Sequence, residues 1–109
     1  MTPAEISVAI RELLKLGLTV RNVPRDMASQ LGIPAGKGVA VSDVKPRSFA
    51  EDIGLQRGDI ILEVNRQPLN SEEDYRRVQS KLKTGDDVVF LVRQRGRDTG
   101  TIFLGGTLP

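Results

Sequence analysis

The residues in this sequence that could do chemistry are narrowed first by what is missing. There is no cysteine and no histidine, which removes thiolate nucleophiles, disulfides, cysteine zinc sites and the commonest general base and metal ligand. Neither a Ser–His–Asp nor a Cys–His arrangement can be assembled from these residues. A Ser–Lys pair is the covalent option left, but Ser7, Ser29, Ser42, Ser48, Ser71 and Ser80 have no spacing that joins any of them to a lysine. The backbone offers a more concrete option. In "LLKLGLTV", residues 13–20, Gly17 sits between two leucines, where glycine is costly in helix or strand. A glycine there lets successive N–H groups turn toward one anion. It is equally the residue that closes a helix at its C-terminal cap.

The totals describe an ordinary single domain. The chain has 109 residues, 39% hydrophobic and 28% charged, enough for one modest core. Aromatics make up only 4%, so Val, Ile and Leu must build that core. The net charge is +2 with acidic and basic residues interspersed, which argues against a nucleic-acid surface. The densest basic run, "RQRGR" at 93–97, lacks aromatics for base stacking and reads as a solvated hairpin end. No cofactor and no metal is expected. No apolar run is long enough to span a membrane, and the N-terminus lacks a signal-peptide pattern, an absence that says little about location if the sequence is cut from a longer protein.

Hydrophobic periodicity supplies the elements. "TPAE" is a helix-start signature, and Ile6, Ile10, Leu13 and Leu14 continue it at helical spacing over about residues 3–15; "ISVAI" also reads as a strand. Leu18, Val20 and Val23 alternate as an extended segment stopped by Pro24. "RDMASQLGI" is a short helix leaving through Gly32, and "GVAVSDV" is a strand. Ser48 with Glu51 forms a capping box before a very short helix that stops at Gly54. "IILEV" is a buried strand, followed by the turn "NRQP" and a brief strand around Leu69. "NSEEDYRRVQSKLKTG" is the clearest helix. Ser71 caps it, acidic residues lie in its first turn, Tyr75, Val78, Gln79 and Leu82 share a face, and Gly85 ends it. "DVVFLVRQ" and "TIFLGG" form a last hairpin around residues 96–100, and "GGTLP" reads as a frayed tail or cut linker. The expected class is α+β: a partly open antiparallel barrel of five or six strands, capped by one main helix and one or two short ones.

The stretch "GVAVSDVKPRSFAEDIGLQRGDIILEVNRQPLNSEEDY" resembles the central signature of the PDZ domain, with its strand, "P-x-S-x-A" short helix, "G-L-x-x-G-D-x-I-x-x-V-N" run and groove helix. The order of elements is similar to the permuted PDZ domains of bacterial HtrA/Deg-type serine proteases, chiefly through "LGLTV…LGIPAGKGVAVSDV". The resemblance covers about residues 15–105. It implies a linker or helix from a preceding domain at 1–15, a PDZ domain at 16–105 and a tail at 106–109. Arg66 departs from the pattern, since the family usually has glycine there.

The resemblance also implies a function: capture of hydrophobic C-termini of substrate or partner polypeptides by strand addition, in the service of a protease whose catalytic triad lies outside this chain. In that reading the amides of Leu16, Gly17 and Leu18 hold the terminal carboxylate, and the strand bearing Thr19 and Val20 offers a free edge. Arg76 and Gln79 face the groove from the main helix, while Tyr75 and Val78 face the core. Leu16, Leu18 and Gln79 line the terminal side-chain pocket. Arg11 and Lys15 add salt-screened attraction, and Lys37 is a loop charge or a contact for upstream ligand residues. The parent is expected to be extracytoplasmic and homo-oligomeric. The other readings are a structural or oligomer-contact domain, and a PDZ domain of another protease or secretion component.

Overall fold

The computed structural model describes residues 16–34, 36–94 and 100–108. The helix or strand expected over residues 3–15, the charges of Arg11 and Lys15, and the tip of the last hairpin lie outside the described residues. The strands are β1 (Leu18–Asn22), β2 (Val39–Val44), β3 (Ile60–Val64), β4 (Gln67–Pro68), β5 (Asp87–Arg93) and β6 (Ile102–Thr107). The helices are α1 (Arg25–Leu31), α2 (Phe49–Asp52) and α3 (Glu72–Ser80). The strands pair antiparallel in the order β1-β2-β3-β5-β6, with β4 on β3. The sheet is open, so the expected α+β class holds and β1 is an edge.

Alternation along the strands sorts side chains to two cores. Val39 and Val41 of β2, Ile61 of β3, and Val88, Phe90 and Val92 of β5 join Phe49, Leu55, Leu69, Tyr75 and Leu82 in the main cluster. Ala40 and Ile60 point the other way, where α1 covers them with Ala28 and Ile33. This is the period of two expected of strands covered on both faces.

Local side-chain bonds set the helix starts. Ser71 Oγ accepts from the Asp74 N–H at 3.3 Å, and the Asp74 carboxylate accepts from the Asn70 N–H at 2.9 Å. Ser48 Oγ accepts from the Glu51 N–H at 3.2 Å. The return bond from Glu51, however, goes to the Arg47 N–H at 3.2 Å, one residue before the cap.

Two local expectations are corrected. The main helix stops at Ser80, with Lys81 as its cap, and Gly85 lies in the following turn. Leu82 drops into the core, and its N–H tightens back onto the Gln79 carbonyl at 3.1 Å. The "tail" is structural too. Gly106 and Thr107 end β6, and Leu108 is buried, its N–H donating to the Asp86 carbonyl while its own carbonyl accepts from Gly85. Burial against the turn before β5 fixes this penultimate residue.

The β3–β4 turn explains the departure at Arg66. Asn65 and Arg66 both have positive φ, 50° and 68°, in the two-residue loop joining Val64 to its partner Gln67. That is the hairpin turn that favours Asn-Gly. Asn65 is held from both ends: its N–H donates to the Val89 carbonyl at 2.7 Å, and its Oδ1 accepts from the Val89 N–H at 2.8 Å. Arg66 has no such compensation among the described residues. Replacing a strained left-handed Arg by glycine relieves about 1–2 kcal/mol and gives back about 0.5–1 kcal/mol of unfolded-state entropy. Arg66→Gly is therefore expected to raise stability by about 0.5–1 kcal/mol in urea denaturation; a loss of stability would contradict this account of the turn.

Tyr75 is 3% exposed, and its hydroxyl has no hydrogen-bond partner among the described residues. Burial holds its ionisation well above the ordinary tyrosine range. The folded state keeps the phenol neutral, while the unfolded chain ionises it above about pH 10. Stability from this group is thus complete below that pH and lost as pH rises beyond it, by up to about 1.4 kcal/mol per pH unit. Tyr75→Phe removes no hydrogen bond. The variant should be as stable as the parent at neutral pH and lose stability less steeply above about pH 10, as thermal denaturation across pH will show.

Candidate peptide-binding groove

The loop ahead of β1 is built from inward-turned carbonyls. The Leu16 carbonyl accepts from the Ala50 N–H at 3.0 Å, and the Gly17 carbonyl accepts from the Lys45 N–H at 2.9 Å. These bonds tie the loop to α2 on one side and the end of β2 on the other. No backbone carbonyl among the described residues accepts from the N–H of Leu16 or Gly17. Gly17 has φ +74°, and a Cβ there would sit 2.1 Å from Ser48 Cβ. Both conformation and space demand glycine, so this residue serves the loop's shape whatever the loop binds.

Register fixes which groups of β1 face outward. Leu18 lies opposite Val44, and the bond flanking that pair is the one from Lys45 to Gly17. In an antiparallel ladder this makes Leu18 and Val44 a non-bonded pair whose own N–H and C=O point away from each other. Those of Leu18 therefore point to the free edge. The register then shifts between Thr19 and Val20, where Ser42 of β2 is passed over; because the extra residue lies on β2, the groups of Val20 and Asn22 keep the outward phase along β1. Asn22 confirms the direction, because its N–H reaches across to Glu72 Oε1 of α3 at 3.1 Å.

Between this edge and α3 lies a depression of about 250 Å³ lined by Gly17, Leu18, Thr19, Val20, Lys45, Glu72, Tyr75, Arg76 and Gln79. Of the groove residues expected from sequence, all but Leu16 line it. Leu16 is 1% exposed and belongs to the core beneath the loop, contributing its backbone. Arg76 is solvated and meets Glu72 at 3.7 Å, one helical turn away. Gln79 is buried at the bottom of the helix face, 8% exposed. Val78 packs against the main core as expected. Tyr75 does both, filling core and lining the depression.

Lys45, Glu72 and Tyr75 were not expected in the groove. Lys45 comes from the end of β2, far from Gly17 in sequence, and no local pattern announces it. Its N–H donates to the Gly17 carbonyl, and with Arg76 it lines the depression beside the loop. Glu72 reads in sequence as a charge favouring the helix N-terminus, and its reach to β1 depends on pairing distant in the chain. Lys37 lies apart, lining a second depression with Asn22, Val23, Arg25, Gly36, Gly38, Asn70 and Ser71.

The arrangement has the parts of a site that adds a strand and holds its end: an edge unpaired among the described residues, outward amides beside a cation, and a helix wall. Comparison with known proteins gives the family. The chain is 35% identical over 98 residues to a probable periplasmic serine endoprotease DegP-like of Chlamydia pneumoniae, covering 84% of this chain and 20% of that protein. It is 31% identical over 81 residues to the magnetosome formation protease MamE of Magnetospirillum gryphiswaldense, covering 74% and 10%. The chain thus spans about a tenth to a quarter of the length of the curated relatives it matches. In fold it matches the HtrA-type protease AlgW solved with a decapeptide, at a TM-score of 0.69 and 22% identity over 85% of this chain and 28% of that one. It also matches the HtrA3 PDZ domain bound to a phage-derived ligand, at a TM-score of 0.65 and 20% identity over 85% and 80%. The PDZ domain family model matches residues 40–95, from the second strand to the end of the fifth, and with the edge strand and groove already in place the chain belongs to the PDZ domain family.

Proposed function

We propose that this domain captures the C-termini of polypeptides by adding them as a strand to β1, and that it does so as the non-catalytic part of an HtrA-like serine protease. The observation that carries this reading is the outward N–H and C=O of Leu18 and Val20 on an edge strand, facing α3 across the depression. A ligand strand antiparallel to β1 ends at the Leu16–Leu18 loop. There its carboxylate accepts from the backbone amides, and Lys45 strengthens the local positive potential. The terminal side chain enters between Leu18, Tyr75 and Gln79. Affinity for a short peptide is expected near the micromolar range, about −8 kcal/mol, since ordering costs consume much of what a short ladder contributes.

The likeness to periplasmic DegP-like endoproteases supports an extracytoplasmic parent with its catalytic residues outside this chain; that the parent is a homo-oligomer is part of the same proposal. Binding of an exposed C-terminus would then deliver substrate or shift the protease toward activity. We place the domain at residues 16–108, extending it to the buried Leu108.

Gly17→Val cannot isolate carboxylate recognition, because the new side chain would collide with Ser48 as well as with a ligand. The ligand itself supplies the cleaner test. Amidating the peptide's C-terminus is expected to weaken binding more than tenfold by calorimetry, through loss of charge-assisted bonds; equal affinities would remove the carboxylate assignment. A second variant probes the pocket. Gln79→Val should raise affinity for peptides ending in Val or Leu by about three- to tenfold, since a buried amide is replaced by apolar surface, and an unchanged ranking of terminal residues would take Gln79 out of the pocket.

A further inference from the structure

The far end of the groove is closed by the chain itself. The Asn22 N–H donates to Glu72 Oε1 at 3.1 Å, and the Glu72 N–H donates to Asn22 Oδ1 at 2.8 Å. The second carboxylate oxygen, Oε2, meets Arg76 at 3.7 Å. This reciprocal pair joins the last residue of β1 to the first residue of α3. It stands as a wall between the depression beside Leu18 and Val20 and the second one lined by Arg25, Lys37 and Asn70.

On the strand-addition reading, on which this inference rests, the ligand's last residue pairs with Leu18, its third-from-last with Val20 and its fifth-from-last with Asn22, because outward groups alternate on both strands. The third of these places is occupied: the Asn22 N–H already serves a carboxylate. A longer ligand would have to give up that charge-assisted bond for one neutral bond of its own, so the extension brings no gain. The bond from Glu72 to the Asn22 side chain also satisfies a helix-start N–H that lacks an intrahelical partner, which gives the chain a second reason to keep the clasp shut.

We propose that the Asn22–Glu72 clasp ends the ladder after the third ligand residue, so that the domain reads only the extreme C-terminus and is indifferent to sequence upstream of about four residues. Glu72 is then a specificity-determining residue that competes with the ligand backbone.

The test uses peptides Ala-Thr-Ala-Xaa whose first residue lacks its α-amino group, so that they carry neither a charge nor a carbonyl opposite Asn22, with Xaa as Val, Leu, Ile or Phe, pooled, and the same pool lengthened by two N-terminal alanines, again without the terminal amino group. Binding is measured to the parent domain, to Glu72→Ala and to Glu72→Gln, in which the amide oxygen still accepts from Asn22. The tetrapeptides and hexapeptides should bind the parent within about twofold of each other, and Glu72→Gln should behave alike. Glu72→Ala should bind the hexapeptides about fivefold more tightly than the tetrapeptides, a difference of about 1 kcal/mol, with the Asn22 amide shifting only for the longer pool. A parent that gains from length as much as Glu72→Ala does would overturn the clasp while leaving the groove intact. Failure of every form to bind any free-carboxylate peptide would overturn the groove, and the clasp with it.

Discussion

Two backbone carbonyls decide the character of this domain. Leu16 and Gly17 spend theirs on Ala50 and Lys45, and in doing so fix the orientation of the peptide planes that carry the neighbouring amides. A loop whose oxygens are committed inward presents its N–H groups outward, and outward N–H groups attract anions. Gly17 is the residue that allows this, because the loop passes so close to Ser48 that a methyl group has no room. The capping serine of α2 and the glycine of the loop are thus one packing unit. It couples the short helix at 49–52 to the place where a ligand's charge would sit.

The edge of β1 follows from the same geometry. The bond from Lys45 to Gly17 is the first rung of the β1–β2 ladder and turns Leu18 outward; the register shift between Thr19 and Val20 is taken up by an extra residue of β2, so β1 keeps its own alternation. With that phase, Leu18 and Val20 turn their polar groups to the groove while Thr19 and Arg21 turn theirs to β2. Exposed edges are a liability that proteins normally blunt. Here the liability is confined: α3 stands over the edge on one side, and the Asn22–Glu72 clasp consumes its last outward N–H. What remains open is about the length of a short peptide end.

Much of this was legible in the sequence because the elements carry local signals. The Ser71 cap, the helical face of Tyr75 and Gln79, the β-branched runs of β2, β3 and β5, and Gly17 between its leucines each have a physical reason visible within a few residues. The groove residues Gly17, Leu18, Thr19, Val20, Arg76 and Gln79 were reachable once the order of elements resembled a known family. Lys45 and Glu72 were not, since each acts on a segment distant in sequence and only strand pairing brings them there. The Leu16 side chain is core, and its carbonyl ties the loop to Ala50. The C-terminal residues were misread for a related reason. Leu108 has no periodic neighbours to mark it, and its burial depends on where β6 ends against the turn at Gly85.

The account stands or falls on the alternation of β1. Titrating ¹⁵N-labelled domain with a peptide bearing a free C-terminus, and following amide proton shifts, reads that alternation directly. Downfield shifts at Gly17, Leu18 and Val20, with the Thr19 and Arg21 amides nearly unmoved, are what strand addition and carboxylate capture require. Binding that leaves the Leu18 and Val20 amides unmoved, and shifts residues of another face instead, would contradict it.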